Sequence, residues 1–152
     1  MVRKLAIVVI LLAIVAAAIG VVFIVEGAAK NKLIVDRMNI EKVTLAVDPN
    51  NPSVTTQINN AADAQKAADT IASHRRNIAP TYQDLLGGKQ FDPSNPQELV
   101  YAQAMNLENY LYMAVTAFGL LQVTMANGAF MVIVGIAIGC VGVALFRVGK
   151  TT

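Results

Sequence analysis

Two stretches of this chain, residues 5–25 and 110–146, hold no Asp, Glu, Lys or Arg. A helix needs about 20 consecutive apolar residues to cross the hydrocarbon core of a bilayer. Both stretches meet that length, and the second runs well beyond it. Only 14% of all residues are charged and 55% are hydrophobic, whereas soluble domains carry about 25% charged residues. The shortfall comes from these two blocks, so the chain reads as an integral membrane protein. A net charge of +2 is small and dispersed, no RNA- or DNA-binding motif is present, and nucleic acid is not an expected partner.

The first block is expected to be a retained span rather than a cleaved signal. Arg3 and Lys4 precede it, and Gly27 and Ala29 stand at a cleavage-like spacing, but signal h-regions run only about 7–15 residues. Orientation follows from Lys and Arg beside the spans. Arg3 and Lys4 at one end, and Arg147 and Lys150 at the other, have no acid among them. Both termini are therefore expected on the cytoplasmic side of the cell membrane, with residues 30–109 outside. Lys30, Lys32 and Arg37 pull against this assignment; an even number of spans agrees with it.

The second block is interrupted by Gln122, Thr124 and Asn127, and Gly128 follows. A turn at Asn127 and Gly128 would make three spans, but each piece would be short and Arg147 and Lys150 would fall outside. The preferred reading is one helix, with a span over residues 125–146 that covers about 33 Å at 1.5 Å per residue. Gln122, Thr124 and Asn127 then lie near the outer rim, and residues 110–123 continue outward with an apolar face covered by protein.

Small residues recur every seven positions in both spans: Ala6, Ala13, Gly20 and Gly27 in the first, Gly128, Gly135, Gly142 and Gly149 in the second. Gly135 and Gly139 add a GxxxG step. A heptad keeps these on one helix face, and small residues let backbones approach in lipid. The expected fold is all-α: two long transmembrane helices packed as an antiparallel hairpin, with a small, mainly helical extracytoplasmic cap. The parts are residues 1–29, 30–109 and 110–152. The GxxxG step is equally suited to a helix from another chain.

Within the cap, "VTLAV" is extended in character and "DPNNP" at 48–52 is a breaker cluster. Ala61, Ala64, Ala68, Ile71 and Ala72 predict a helix over 61–76. "APTYQDLLGG" predicts a short helix that stops at Gly87 and Gly88. Asn95, Pro96 and Glu98 form a strong helix start as N-cap, N1 and N3. From there no breaker intervenes before the second span.

Reactive groups are few. His74 is the one histidine and Cys140 the one cysteine. A catalytic metal site takes several His, Cys or carboxylate ligands, and Asp63 and Asp69 stand at poor helical offsets from His74. His74 is expected to be a local hydrogen-bonding residue that joins its helix to the "APTY" turn. Arg75 and Arg76 read as solvated surface. No nucleophile or phosphate-loop motif is present, so no catalysis, metal or cofactor is expected. Met105, Met113, Met125 and Met131, interleaved with Tyr101, Tyr110, Tyr112, Phe118 and Phe130, read as core and membrane-rim packing. The functional alternative is a surface for a lipid, quinone or pigment.

The order "IASHRRNIAPTYQDLLGG", "NPQELVYAQAM" and "AVTAFGLLQVTMANGAFMVIVGIAIGCVGVAL" resembles a family of small two-span bacterial membrane proteins of uncharacterised role. Its members are often labelled aromatic ring-opening dioxygenases. The resemblance implies an uncharacterised family, and the sequence argues against the label: such an iron enzyme needs two histidines and a carboxylate, and His74 alone does not supply them. The expectation is a non-catalytic accessory or structural subunit, with membrane lipids and a larger membrane complex or further copies of itself as partners.

Overall fold

The computed structural model describes residues 2–48 and 51–151. The order is α1 (Val2–Ile40), β1 (Thr44–Asp48), β2 (Asn51–Gln57), α2 (Ala61–Ile78), α3 (Tyr82–Leu86) and α4 (Pro96–Thr151). The chain is mostly helical. Both α1 and α4 contain stretches long and apolar enough to cross a membrane. The chain divides into two compact units. One takes Met1–Lys32 and Leu120–Thr152, the other Leu33–Gly119, so residues 110–119 fall in the second unit.

In the first unit, α1 buries one stripe, Ala6, Ala13, Gly20 and Gly27. Gly128, Gly135 and Gly142 of α4 are likewise buried. The backbones touch there. A Cβ built on Gly20 would lie 2.5 Å from the Gly128 carbonyl oxygen, and one on Gly135 would lie 2.8 Å from that of Ala13. Non-bonded carbon contacts settle near 3.5–4.0 Å, so neither position has room for a methyl group. Gly142 lies against Ile10, and Gly27 against Met125, so the pairs run in opposite directions along the two helices. The rest of both surfaces is bare. Only 11% of the most apolar window of each helix is buried, which is far less than a core helix of a soluble domain hides.

The second unit has its own core. Ala64, Ala67 and Ala68 of α2 meet Leu111, Ala114 and Phe118 of α4, with Leu45 and Ile58 completing the cluster. Ile34, Val35 and Met38 of α1 cover its side. Small residues on α2 let it approach the larger side chains of α4. Full burial of a residue such as Leu111 or Phe118 contributes about 1.5–3 kcal/mol.

The unit departs from the all-α expectation. Strands β1 and β2 pair antiparallel, with Thr44 opposite Gln57 and Leu45 opposite Thr56, and the register shifts between Ala46 and Asp48. Thr44, Thr55 and Thr56 favour extended backbone because branching at Cβ suits a pleated surface. Asn51 and Pro52, read from sequence as part of a breaker, instead open β2; proline is tolerated at a strand's first residues. Residues 49 and 50 of that cluster lie outside the described residues.

Helix ends follow local chemistry. Asn60 caps α2 by accepting the Asp63 N–H at 3.0 Å. Thr81 caps α3 through the Asp84 N–H at 3.1 Å, and α3 ends at Gly87 in the left-handed region, φ 55. Asn95 accepts the Gln97 N–H at the start of α4. That helix then runs unbroken to Thr151. The alternative with a turn at Asn127 and Gly128 is therefore incorrect. Glycine weakens an isolated helix, but here Gly128 meets Gly20 inside a continuous helix rather than ending one.

Candidate functional site

The most organised polar cluster joins α2 to α4 within the second unit. Arg75 Nε donates to Glu108 Oε2 at 2.7 Å, and Nη2 donates to Oε1 at 3.4 Å. Arg75 Nη1 donates to the Tyr101 hydroxyl. The guanidinium carbon also lies 4.9 Å from the centre of the Tyr101 ring, and Tyr82 approaches that ring at 6.0 Å. Tyr101 is completely buried, and Glu108 is the one buried charged residue among those described. Tyr101 and Glu108 fall seven positions apart on α4, which keeps them on one face.

The chemistry of this cluster is closed. Arginine stays protonated, ionised glutamate only accepts, and the tyrosine hydroxyl is engaged. The hydrogen bond to Glu108 raises the Arg75 pKa further, against the opposing effect of burial. The cluster ties α2 to α4. A second tie lies nearby: the Tyr112 hydroxyl donates to Asp69 Oδ1 at 2.9 Å, and Gln65 Nε2 donates to the same oxygen.

Sequence reasoning missed this cluster and placed Arg75 on the solvated surface. A signal was present. Glu108 is the only charged residue between Glu98 and Arg147, in a helix that otherwise avoids charge. A lone acid there requires a basic partner.

His74 stands one residue from the cluster and takes no part in it. Its side chain is exposed, and it makes no hydrogen bond among the described residues. The expected link to the "APTY" turn is instead a backbone one, from the Ala79 N–H to the Arg75 carbonyl at 3.3 Å. Consecutive helical residues point about 100° apart, so Arg75 faces α4 and His74 does not. Gln122 and Asn127 are exposed on α4, while Thr124 bonds back to the Leu120 carbonyl at 2.9 Å. Cys140 is exposed as well. Among the described residues no group of three or more His, Cys, Asp or Glu side chains could hold a metal.

Two apolar features remain. In the second unit a groove of about 260 Å³ is lined by Met38, Val43, Leu107, Tyr110 and Leu111 together with Arg37 and Glu41. On α4, one face of residues 110–119 is buried through Leu111, Ala114 and Phe118, while Tyr110 and Met113 stay 68% and 66% exposed. In the first unit, Gly139 sits at the rim of the seam. A Cβ there would meet Ala13 at an ordinary 3.6 Å, and an open groove runs beside Ala17 and Ile136. Comparison with family models, with curated proteins and with solved structures finds no match to this chain.

Proposed function

We propose that this is a two-span membrane protein without catalysis of its own, serving as an accessory or structural subunit of a larger membrane assembly. In this reading α1 and α4 form an antiparallel transmembrane hairpin, both termini face the cytoplasm, and the second unit is an extracytoplasmic cap. The observation that carries it is the exposed side of α4. Leu99, Tyr110 and Met113 recur at multiples of helical spacing and remain uncovered by the chain's own cap. Large exposed apolar residues aligned on one helix mark a contact surface. Gly139 supports the same reading, because the space beside it admits a side chain from another helix. The partner is either a different membrane protein or a second copy.

The groove at Met38, Leu107 and Tyr110 favours a second reading, a binding module for a lipid tail, quinone or pigment. At about 260 Å³ it falls below the ~300–1,000 Å³ usual for small-molecule sites, which ranks this reading second.

Native mass spectrometry of the protein extracted in mild detergent tests the two. The expected result is the chain bound at fixed stoichiometry to another subunit or to itself, with the assembly lost in Tyr110→Glu/Met113→Glu. A monomer holding a stoichiometric small molecule would overturn the subunit reading in favour of the second.

A further inference from the structure

The two helix ends of the first unit bring Arg3 and Lys150 to one aromatic ring, with Lys4 and Arg147 on the same end turns. The backbone N of Arg3 lies 3.3 Å from where a Cβ on Gly149 would sit, so the start of α1 and the end of α4 are side by side. The Arg3 guanidinium carbon is 5.1 Å from the Phe146 ring centre, and Lys150 Nζ is 5.6 Å from the same centre. Lys4 and Arg147 lie one and three residues from these. Among the described residues no carboxylate pairs with any of the four. The only acid in the sequence of this unit is Glu26, roughly 35 Å from Arg3 along α1 at 1.5 Å per residue.

This is an unbalanced arrangement in two respects. Two cations share one aromatic ring, and the ring's attraction for them does not remove their mutual repulsion. Arg3 and Lys4 occupy the first turn of α1, which holds no acid and where the helix dipole disfavours positive charge. An anion is the group that would relieve both. Beside Lys4, an apolar trough lined by Val2, Leu5 and Val8 runs down α1. A ligand that satisfies the whole surface has a negative head and a hydrocarbon tail.

We propose that Arg3, Lys4, Arg147 and Lys150 bind the phosphate headgroup of an anionic phospholipid, with an acyl chain against Val2, Leu5 and Val8. This rests on reading α1 and α4 as membrane spans. Phosphatidylcholine carries a phosphate too, but its choline cation cancels the charge, so the site should distinguish the two lipids. Basic residues near a membrane surface each add to attraction for anionic lipid, and together they compound.

The test uses the full chain in mild detergent, mixed with equal amounts of phosphatidylglycerol and phosphatidylcholine of matched acyl chains, and read by native mass spectrometry. Wild type should retain phosphatidylglycerol with about a tenfold preference. Arg3→Gln/Lys150→Gln should bring that preference close to one, while Lys30→Gln, at the other end of the unit, should leave it unchanged. Circular dichroism of each variant shows whether the helices persist. An even lipid ratio in the wild type would overturn the proposal, whether or not the variant folds. So would a preference that survives in a folded double variant, or displacement of the lipid by an equal concentration of inorganic phosphate. Flotation with phosphatidylcholine vesicles separates the two levels: a chain that fails to float defeats the span reading, and the lipid site with it. A chain that floats but shows no preference defeats only the lipid site.

Discussion

Arg75 and Glu108, thirty-three residues apart, meet at 2.7 Å in a pocket closed by the buried Tyr101. Their side chains are only 11% and 9% exposed, so the pair has been taken largely out of water. Desolvation of both ions offsets much of their attraction, and such pairs are weak net stabilisers. Removing one partner is a different matter, since it strands the other charge.

The first prediction follows from that asymmetry. Arg75→Met and Glu108→Leu should each destabilise the second unit by about 3 kcal/mol. The double variant should cost clearly less than the two together, because it strands no charge. Thermal melts in detergent, analysed as a double-mutant cycle, measure this. Strict additivity would show that the two side chains act independently and that the pair is not a clamp.

Steric contact in the first unit gives a second prediction. Gly135→Ala should lower the melting temperature of the helix pair, because its methyl would come within 2.8 Å of the Ala13 carbonyl. Gly139→Ala adds the same methyl one turn later, where the nearest side-chain carbon is 3.6 Å away, and should be neutral or slightly stabilising through the gain in helix propensity. Equal effects would mean that the seam is not a backbone contact.

These two sites show where sequence was informative. The heptads of Ala6, Ala13, Gly20 and Gly27, and of Gly128, Gly135 and Gly142, stand out because glycine in a long apolar helix has few other reasons to recur. The α4 start was legible for a similar reason, since Asn95, Pro96 and Glu98 act through neighbours two or three residues away. Strand β2 was not legible. Its pairing depends on the residues of β1 opposite it, and Asn51 and Pro52 at its start signal a break. The Arg75 clamp was hidden because its partner lies on another helix, and nothing near position 75 distinguishes a buried arginine from a solvated one.

The C-terminus of α1 yields a third prediction. Lys42 has φ 52, in the left-handed region. The Lys42 N–H donates to the Asn39 carbonyl at 3.1 Å, and the Val43 N–H to the Met38 carbonyl at 2.9 Å. This is the double-bonded helix stop that glycine ordinarily completes. A side chain there costs about 1 kcal/mol. Lys42→Gly should therefore raise the stability of the second unit by up to about 1 kcal/mol, while Lys42→Val should lower it. Loss of stability on Lys42→Gly would indicate that the lysine side chain contributes more than its backbone costs.

At the start of α4, the Ser94 hydroxyl and N–H both donate to Asp92 Oδ1, at 2.6 and 2.9 Å. These bonds, the hydroxyl first, hold the Asp92 pKa below the ordinary carboxylate value. A depressed folded-state pKa gives stability that is present above the unfolded value and is lost as pH falls through the folded one. The fourth prediction is that amide exchange in the first turn of α4 accelerates on acidification below the ordinary carboxylate range. Ser94→Ala should shift the onset upward in pH. An onset unchanged by the substitution would show that the Ser94 bonds to Asp92 do not govern it.

Topology is the fifth prediction, and most of the functional reading depends on it. Cysteines placed singly at Ser53 and at Thr151, in a Cys140→Ala background, report the two sides of the membrane. Cys140 must be removed because it is exposed on α4 and would react with a permeant reagent. In intact cells, an impermeant maleimide should label position 53 and spare position 151. Both should label once the membrane is opened. The physical basis is the segregation of charge: Arg3, Lys4, Arg147 and Lys150 lie at one end of the two helices without an acid, and basic residues of that kind are retained on the cytoplasmic side. Lys30, Lys32 and Arg37 compete for retention, so Arg3→Gln/Lys4→Gln should raise the fraction of inverted molecules, seen as label at position 151. Labelling of both positions in intact cells by wild-type-charged chains would place an even number of spans between them and defeat the two-span reading. Labelling of position 151 alone would keep two spans and reverse their orientation.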